Sequence, residues 1–205
     1  MFRLHCVIAR TPTAVLRQQD VGGRSNLKRL FRFLRSLAMT LVGTFILTLP
    51  SLAKGEQTMT LTSPAFENNQ DIPAQYTCAG ADINPPLTIK NIPPKTESLA
   101  LYVHDPDAAV GEWAHWVVYN IKPETQNIAE NSIPGTELFN DFGKFHYGGP
   151  CPPAGKPHHY LFEMYALNRK LEIIEGGTIR DLQQAMKGHI LAKSTLVGIY
   201  TKHSW

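Results

Sequence analysis

The chain is sparing with charge and with cysteine, and it has no apolar run long enough to be an obvious membrane span. Only 18% of its residues are Asp, Glu, Lys or Arg, and its three cysteines show none of the paired spacing that holds zinc. No glycine-rich loop of the nucleotidase kind is present, which excludes that route to phosphate chemistry, and no serine sits in a nucleophile-elbow context. Internal repeats and low-complexity tracts are also missing, so solenoids and disordered scaffolds are set aside. The longest apolar stretch, residues 37–49, is shorter than the ~20 residues a spanning helix prefers.

The charge that is present is unevenly placed. Of the total of +3, residues 1–53 carry +7, from Arg3, Arg10, Arg17, Arg24, Lys28, Arg29, Arg32 and Arg35 against Asp20, which leaves −4 for the remainder. A mildly acidic body argues against a nucleic-acid surface. The basic stretch precedes the apolar run and then Pro50-Ser51-Leu52-Ala53, with small residues three and one positions before a cut. This order is that of a secretory signal peptide. The expectation is a leader over residues 1–53, cleaved near Ala53 and Lys54, and a single domain over 54–205 that is periplasmic or secreted, with no stable membrane span after cleavage. A retained anchor is the alternative.

Export gives the cysteines a meaning. Cys6 leaves with the leader, and Cys78 and Cys151 remain as an even pair in an oxidising compartment. Either they form a disulfide that tethers the Cys78 loop to the proline-rich loop around Cys151, or they are two separate half-buried thiols; spacing alone does not decide.

From Thr58 onward short β-type runs alternate with Pro64, Pro73, Pro85-Pro86, Pro93-Pro94, Pro123 and Pro134, a pattern that predicts a mostly β, sandwich-like fold with long connections. A helical period occurs once, with Thr178 as N-cap, Asp181 three residues on, Ile179, Leu182 and Met186 on one face, and Gly188 placed to end it. Residues 194–200 then alternate as a final strand. Trp116, Tyr119, Phe162 and Tyr165 read as core aromatics.

Three stretches carry the chemistry. Residues 99–104 read as a strand, with Leu99, Leu101 and Val103 on one face, ending in Asp105-Pro106-Asp107. After a short connection, Gly111-Glu112-Trp113-Ala114-His115 leads into a second strand over 116–121. If the two are antiparallel, Asp105 and His115 meet on one rim. The third stretch, Tyr147-Gly148-Gly149-Pro150-Cys151-Pro152-Pro153-Ala154-Gly155-Lys156-Pro157-His158-His159-Tyr160, is a rigid turn-rich loop delivering His158 and Tyr160 to the mouth of a strand over 160–167. His104 and His159 are expected to face away from the site, and Asp107 to cap the turn after Pro106.

Asp105-Pro106-Asp107-Ala108, Glu112-Trp113-Ala114-His115-Trp116 and the loop from Tyr147 to Tyr160 resemble the signature blocks of the phosphatidylethanolamine-binding protein family, in its bacterial Raf kinase inhibitor-like branch. Met59-Thr60-Leu61-Thr62-Ser63-Pro64-Ala65-Phe66 and Asn84-Pro85-Pro86-Leu87 also look like family positions. The chain departs from the pattern at Ala109, where a second proline is usual, and at His159, where arginine is frequent. The resemblance implies an antiparallel β-sandwich with one or two packing helices near the C-terminus and a small anion pocket at one rim, receiving phosphate-type headgroups or phosphorylated side chains.

The residues fit that expectation. Imidazole N–H, tyrosine O–H and glycine-loop N–H groups are the donors an anion wants, and His115, His158, Tyr160, Gly149 and Cys151 supply them. Asp105 would fix a histidine tautomer, and Trp113 and Pro106 would form apolar walls. The expected ligand is a small anion or phospholipid headgroup, with a protein partner such as a kinase or protease as a further class. No cofactor, metal ligand or catalytic residue is assigned. The rival is a hydrolase, metal-dependent or using His and Asp as acid and base in the same pocket.

Overall fold

A computed structural model of the protein describes residues 58–203. The expected leader, its cut near Ala53 and Cys6 lie outside them. The described chain runs β1 (Thr60–Thr62), β2 (Gln70–Asp71), a 3-10 turn (Ala74–Tyr76), β3 (Leu87–Lys90), β4 (Ser98–Asp105), β5 (Trp113–Ile121), β6 (Asn127–Ile128), β7 (Thr136–Leu138), β8 (Pro157–Leu167), α1 (Ile179–Met186) and β9 (Ile190–Thr201). Two sheets result, a three-stranded one in the order β1-β3-β6 and a six-stranded one in the order β2-β9-β8-β4-β5-β7. All pairings are antiparallel except the parallel contact of β2 with β9. This is the mostly β sandwich that the punctuated sequence predicts.

Alternation along the central strands explains the layers, because successive side chains of a strand leave on opposite faces. Leu99, Leu101 and Val103 of β4, with Trp116, Val118, Phe162 and Met164, face Leu61, Leu87 and Ile89 of the small sheet. Ala100, Tyr102, Val117 and Tyr119 take the other face and pack with Leu182 and Met186 of α1. The strand β4 is therefore buried on both sides, which is why it is apolar without a break from Leu99 to Val103. Helix α1 starts as its sequence dictates: Thr178 and Asp181 form a reciprocal capping box. Gly188, at φ 77°, lies just beyond its end. It is the one α-helix among the described residues.

His104 faces away from the rim, as expected, and is buried. It stacks on Tyr102 with ring centroids 4.4 Å apart, and its Nδ1 lies 2.7 Å from Glu112 Oε1. Glu163 next to it is held by Lys193 Nζ at 2.6 Å and by the Tyr165 hydroxyl. Burial pushes the Glu163 carboxyl upward, but the interactions with His104, whose Nε2 is 3.7 Å away, and with Lys193 and Tyr165 outweigh it and bring its pKa down to about 2. Tyr165 is thus half-buried and polar-tipped, where the sequence reading made it a plain core aromatic.

Candidate functional site

The site lies where the β4–β5 hairpin meets the loop before β8. Asp105 is the last residue of β4 and pairs across to Trp113, the first of β5. Between the pairs Val103–Trp116 and His104–Ala114 the register slips, so His115 is the extra residue of a β-bulge. A bulge re-aims a side chain, and here the one re-aimed is the histidine. Its backbone and ring are then clamped by one partner: Gly148 N donates to the His115 carbonyl at 3.0 Å, and His115 Nδ1 donates to the Gly148 carbonyl. Asn140 Nδ2 donates to the same His115 carbonyl at 3.1 Å.

Asp105 is 3% exposed and uses both oxygens. Oδ1 accepts from Asp107 N at 2.8 Å, and Oδ2 accepts from His158 Nδ1 at 2.7 Å. The cap of the turn after Pro106 is therefore Asp105 rather than Asp107. Asp107 instead accepts from the backbone N and the Nδ1 of His159 at 2.8 and 2.7 Å, outside the cavity. That pairing holds the Asp107 carboxyl below its ordinary pKa.

A cavity of about 200 Å³ opens here, lined by Asp105, Trp113, His115, Cys151, His158 and Tyr160, and also by Ala108, Ala109, Phe142, Pro152 and Pro153. Larger depressions of about 650 and 720 Å³ lie elsewhere, one at the Pro93–Pro94 turn and one beside Tyr200, and neither gathers the rim histidines. Six of the eight residues expected at the pocket line it. Pro106 is exposed and does not. Gly149 does not either, and its amide is not free for a ligand, since it donates to Asp82 Oδ1 at 2.7 Å. A side chain at position 149 would come within 2.5 Å of the Tyr76 carbonyl, so this glycine is needed for close approach of two loops rather than for anion binding.

Phe142 is the wall that sequence reasoning missed. Its ring meets Trp113 and His115 edge-on at 5.5 and 5.2 Å. It sits so close to Gly148 that a Cβ there would be 2.7 Å from it. The glycine pair at 148–149 was the available signal, but a missing side chain does not say what fills its space.

The polar groups of the cavity are unusual in one respect. Tyr160 is 1% exposed and its hydroxyl is buried with no acceptor in ordinary hydrogen-bond geometry, the Asp105 carboxylate beside it already accepting from Asp107 N and His158 Nδ1. Burial and then the neighbouring Asp105 push its pKa well above the ordinary tyrosine value, so it remains a donor. Burial likewise lowers the His115 pKa from 6.5, against the pull of the Gly148 hydrogen bond and of Asp105. Cys78 and Cys151 are joined in a disulfide, with Cα atoms 5.4 Å apart. Cys78 N also donates to the Pro150 carbonyl at 3.1 Å. The loop forming one wall is thus fastened twice to the loop around Cys78.

The fold is thus a β-sandwich with an Asp–His pair, a bulge histidine and a buried tyrosine gathered around one rim cavity. The family model of the phosphatidylethanolamine-binding protein matches residues 62–201, and the chain belongs to that family. A UPF0098 protein of Pyrococcus horikoshii is 41% identical over 167 residues, covering 77% of this chain and 84% of that protein. A UPF0098 protein of Chlamydia muridarum is 45% identical over 148 residues, covering 69% and 98%. Among solved structures, a phosphatidylethanolamine-binding protein homologue from Chlamydia trachomatis superposes with a TM-score of 0.68 at 42% identity, covering 71% of this chain and 98% of that one. E. coli YbcL, described as a member of the mammalian PEBP family, gives 0.67 at 27% identity, covering 71% and 99%.

Proposed function

We propose that this protein is an exported, non-enzymatic binding protein whose rim cavity takes a small phosphate-type anion, as a phospholipid headgroup or a phosphorylated ligand, and through it modulates a partner protein. The carrying observation is the Tyr160 hydroxyl: a buried donor without a partner costs about 1–3 kcal/mol, a cost that an acceptor brought by a ligand would remove. His115 and His158 add two imidazoles, each with its Nδ1 already engaged and its Nε2 left over. Trp113, Phe142, Pro152 and Pro153 supply the apolar walls that such a pocket needs around a few polar groups.

The test is calorimetric titration of phosphate and a phosphomonoester at pH 6, with wild type and the variants His115→Ala and His158→Ala. Each substitution is expected to weaken binding by about 1–3 kcal/mol, the range for a charge-assisted hydrogen bond, with an unchanged circular dichroism spectrum. Unaltered affinity in both variants would refute the assignment. The Asp105–His158 pair favours one second reading, because a carboxylate orienting an imidazole is also general-base geometry. A phosphatase and esterase screen of the same three proteins decides it. Turnover lost with either variant, or on chelation, favours the hydrolase.

The basic, apolar and small-residue order of the first 53 residues supports export, as does a disulfide, which persists in oxidising compartments. N-terminal sequencing of material released from cells is expected to begin near Lys54. An intact leader in the membrane fraction would overturn this part of the reading.

A further inference from the structure

The cavity has a charge inventory at odds with a simple anion site. No lysine or arginine lines it, and its one fixed charge is the carboxylate of Asp105. Of the loop amides beside it, Gly148 N is taken by the His115 carbonyl and Gly149 N by Asp82, Pro152 and Pro153 have none to offer, and Cys151 N is left as a single backbone donor in that wall. Both histidines spend Nδ1–H on an acceptor, one on the Gly148 carbonyl and one on Asp105. A neutral imidazole carries one N–H, so each remaining Nε2 is an acceptor. With neutral histidines the site therefore presents two ring acceptors and a carboxylate against one certain side-chain donor, the Tyr160 hydroxyl.

Such a lining repels a bare dianion and welcomes an anion that arrives with a proton. We infer, building on the anion-pocket reading, that the site takes phosphate-type ligands in their singly charged, proton-bearing state, each bound anion bringing one proton into the cavity. That proton is held between a ligand oxygen and a histidine Nε2, as P–O–H donating to the ring or as imidazolium donating to the ligand. No bond to phosphorus or carbon forms or breaks, and solvent supplies the proton.

The surroundings of the rings favour this arrangement. Around His115 lie Asp105 from β4, Tyr160 from β8, and Asp141 and Asp82 from the flanking loops, with the Phe142 ring edge-on. Around His158 lie Asp105, Asp107 and the cross-strand neighbour Tyr200. Every fixed charge in both sets is negative; the cation at the edge of the cavity is Lys202, with its Nζ 3.8 Å from Cys151 Sγ rather than against either ring. Burial of His115 opposes a standing imidazolium in the empty cavity, so the positive charge, where it forms, forms with the anion.

The experiment is calorimetry of the full chain with methyl phosphate, whose second pKa is about 6, at pH 7.5, 8.0 and 8.5 in two buffers of different ionisation enthalpy. Uptake of one proton per bound phosphate is expected, with affinity falling about tenfold per pH unit. Binding at these pH values with no proton uptake and a flat affinity would overturn this inference alone and leave the anion pocket standing. The absence of binding at pH 5.5, where the ligand is singly charged and the imidazoles are most protonated, would overturn both.

Discussion

Replacing Cys78 and Cys151 with serine is expected to lower the unfolding free energy by about 2–4 kcal/mol. The bond spans 73 residues of sequence. Closing a loop of that size removes denatured-state entropy worth close to ~4 kcal/mol in the chain-entropy picture, and engineered comparisons usually return somewhat less. Besides the Cys78 N hydrogen bond to the Pro150 carbonyl, little else holds the chain beyond Cys151. Both cysteines are exposed, and the loop from Cys151 to Lys156 contains two prolines, a glycine and few buried residues. Cys151 also lines the cavity, so its release frees one wall. Urea denaturation of the oxidised wild type beside the double serine variant measures the stability term, and titration with phosphate measures the second. We expect a lower midpoint and weaker binding in the variant. Equal midpoints would mean that the Cys78 N hydrogen bond to Pro150 and the packing of Tyr147 already fix the loop, and the disulfide would then have no structural weight.

How much of this was visible beforehand depends on how local the signal was. The strands β4, β5, β8 and β9 and the capping box of α1 follow from alternation and from a four-residue pattern, both contained within their own segments. Asp105, His115, His158 and Tyr160 could be placed on one rim because antiparallel neighbours bring strand ends together. The edge strands Gln70–Asp71, Asn127–Ile128 and Thr136–Leu138 are too short to carry a period, and they owe their pairing to the partner strand. The same reason hid the bulge at His115, since an extra residue exists only relative to the strand opposite. Gly149 looks like a ligand donor from the sequence because nothing near it reveals that Asp82, 67 residues upstream, already takes its amide. Pro106 was given a wall, but the turn that Asp105 caps carries it outward.

The cavity depends on a support that runs through the interior, and Trp116 is where that support is most exposed to test. Its neighbour His115 belongs to the rim, whereas Trp116 is 1% exposed in the main core. Its Nε1 donates to Glu137 Oε1 at 2.7 Å, and its ring meets Tyr147 edge-on at 5.8 Å. Tyr147 in turn donates to the Tyr76 carbonyl at 3.0 Å, the same carbonyl against which Gly149 is seated. Trp116→Ala is expected to cost about 3–5 kcal/mol, the range for deleting a large buried aromatic. Trp116→Phe keeps most of the packing and removes the indole donor, leaving the half-buried Glu137 with His146 Nδ1 at 2.8 Å, and should cost about 1–3 kcal/mol. Urea denaturation of both variants gives these differences. If packing is the larger part, the alanine variant must fall well below the phenylalanine one. In the phenylalanine variant, which should still fold, phosphate affinity reports whether Tyr147 keeps its place, and we expect that affinity to change less than twofold because no cavity-lining group is touched. A loss below 1 kcal/mol on Trp116→Ala would show that the sandwich core closes over the missing ring and that the rim is not held from within.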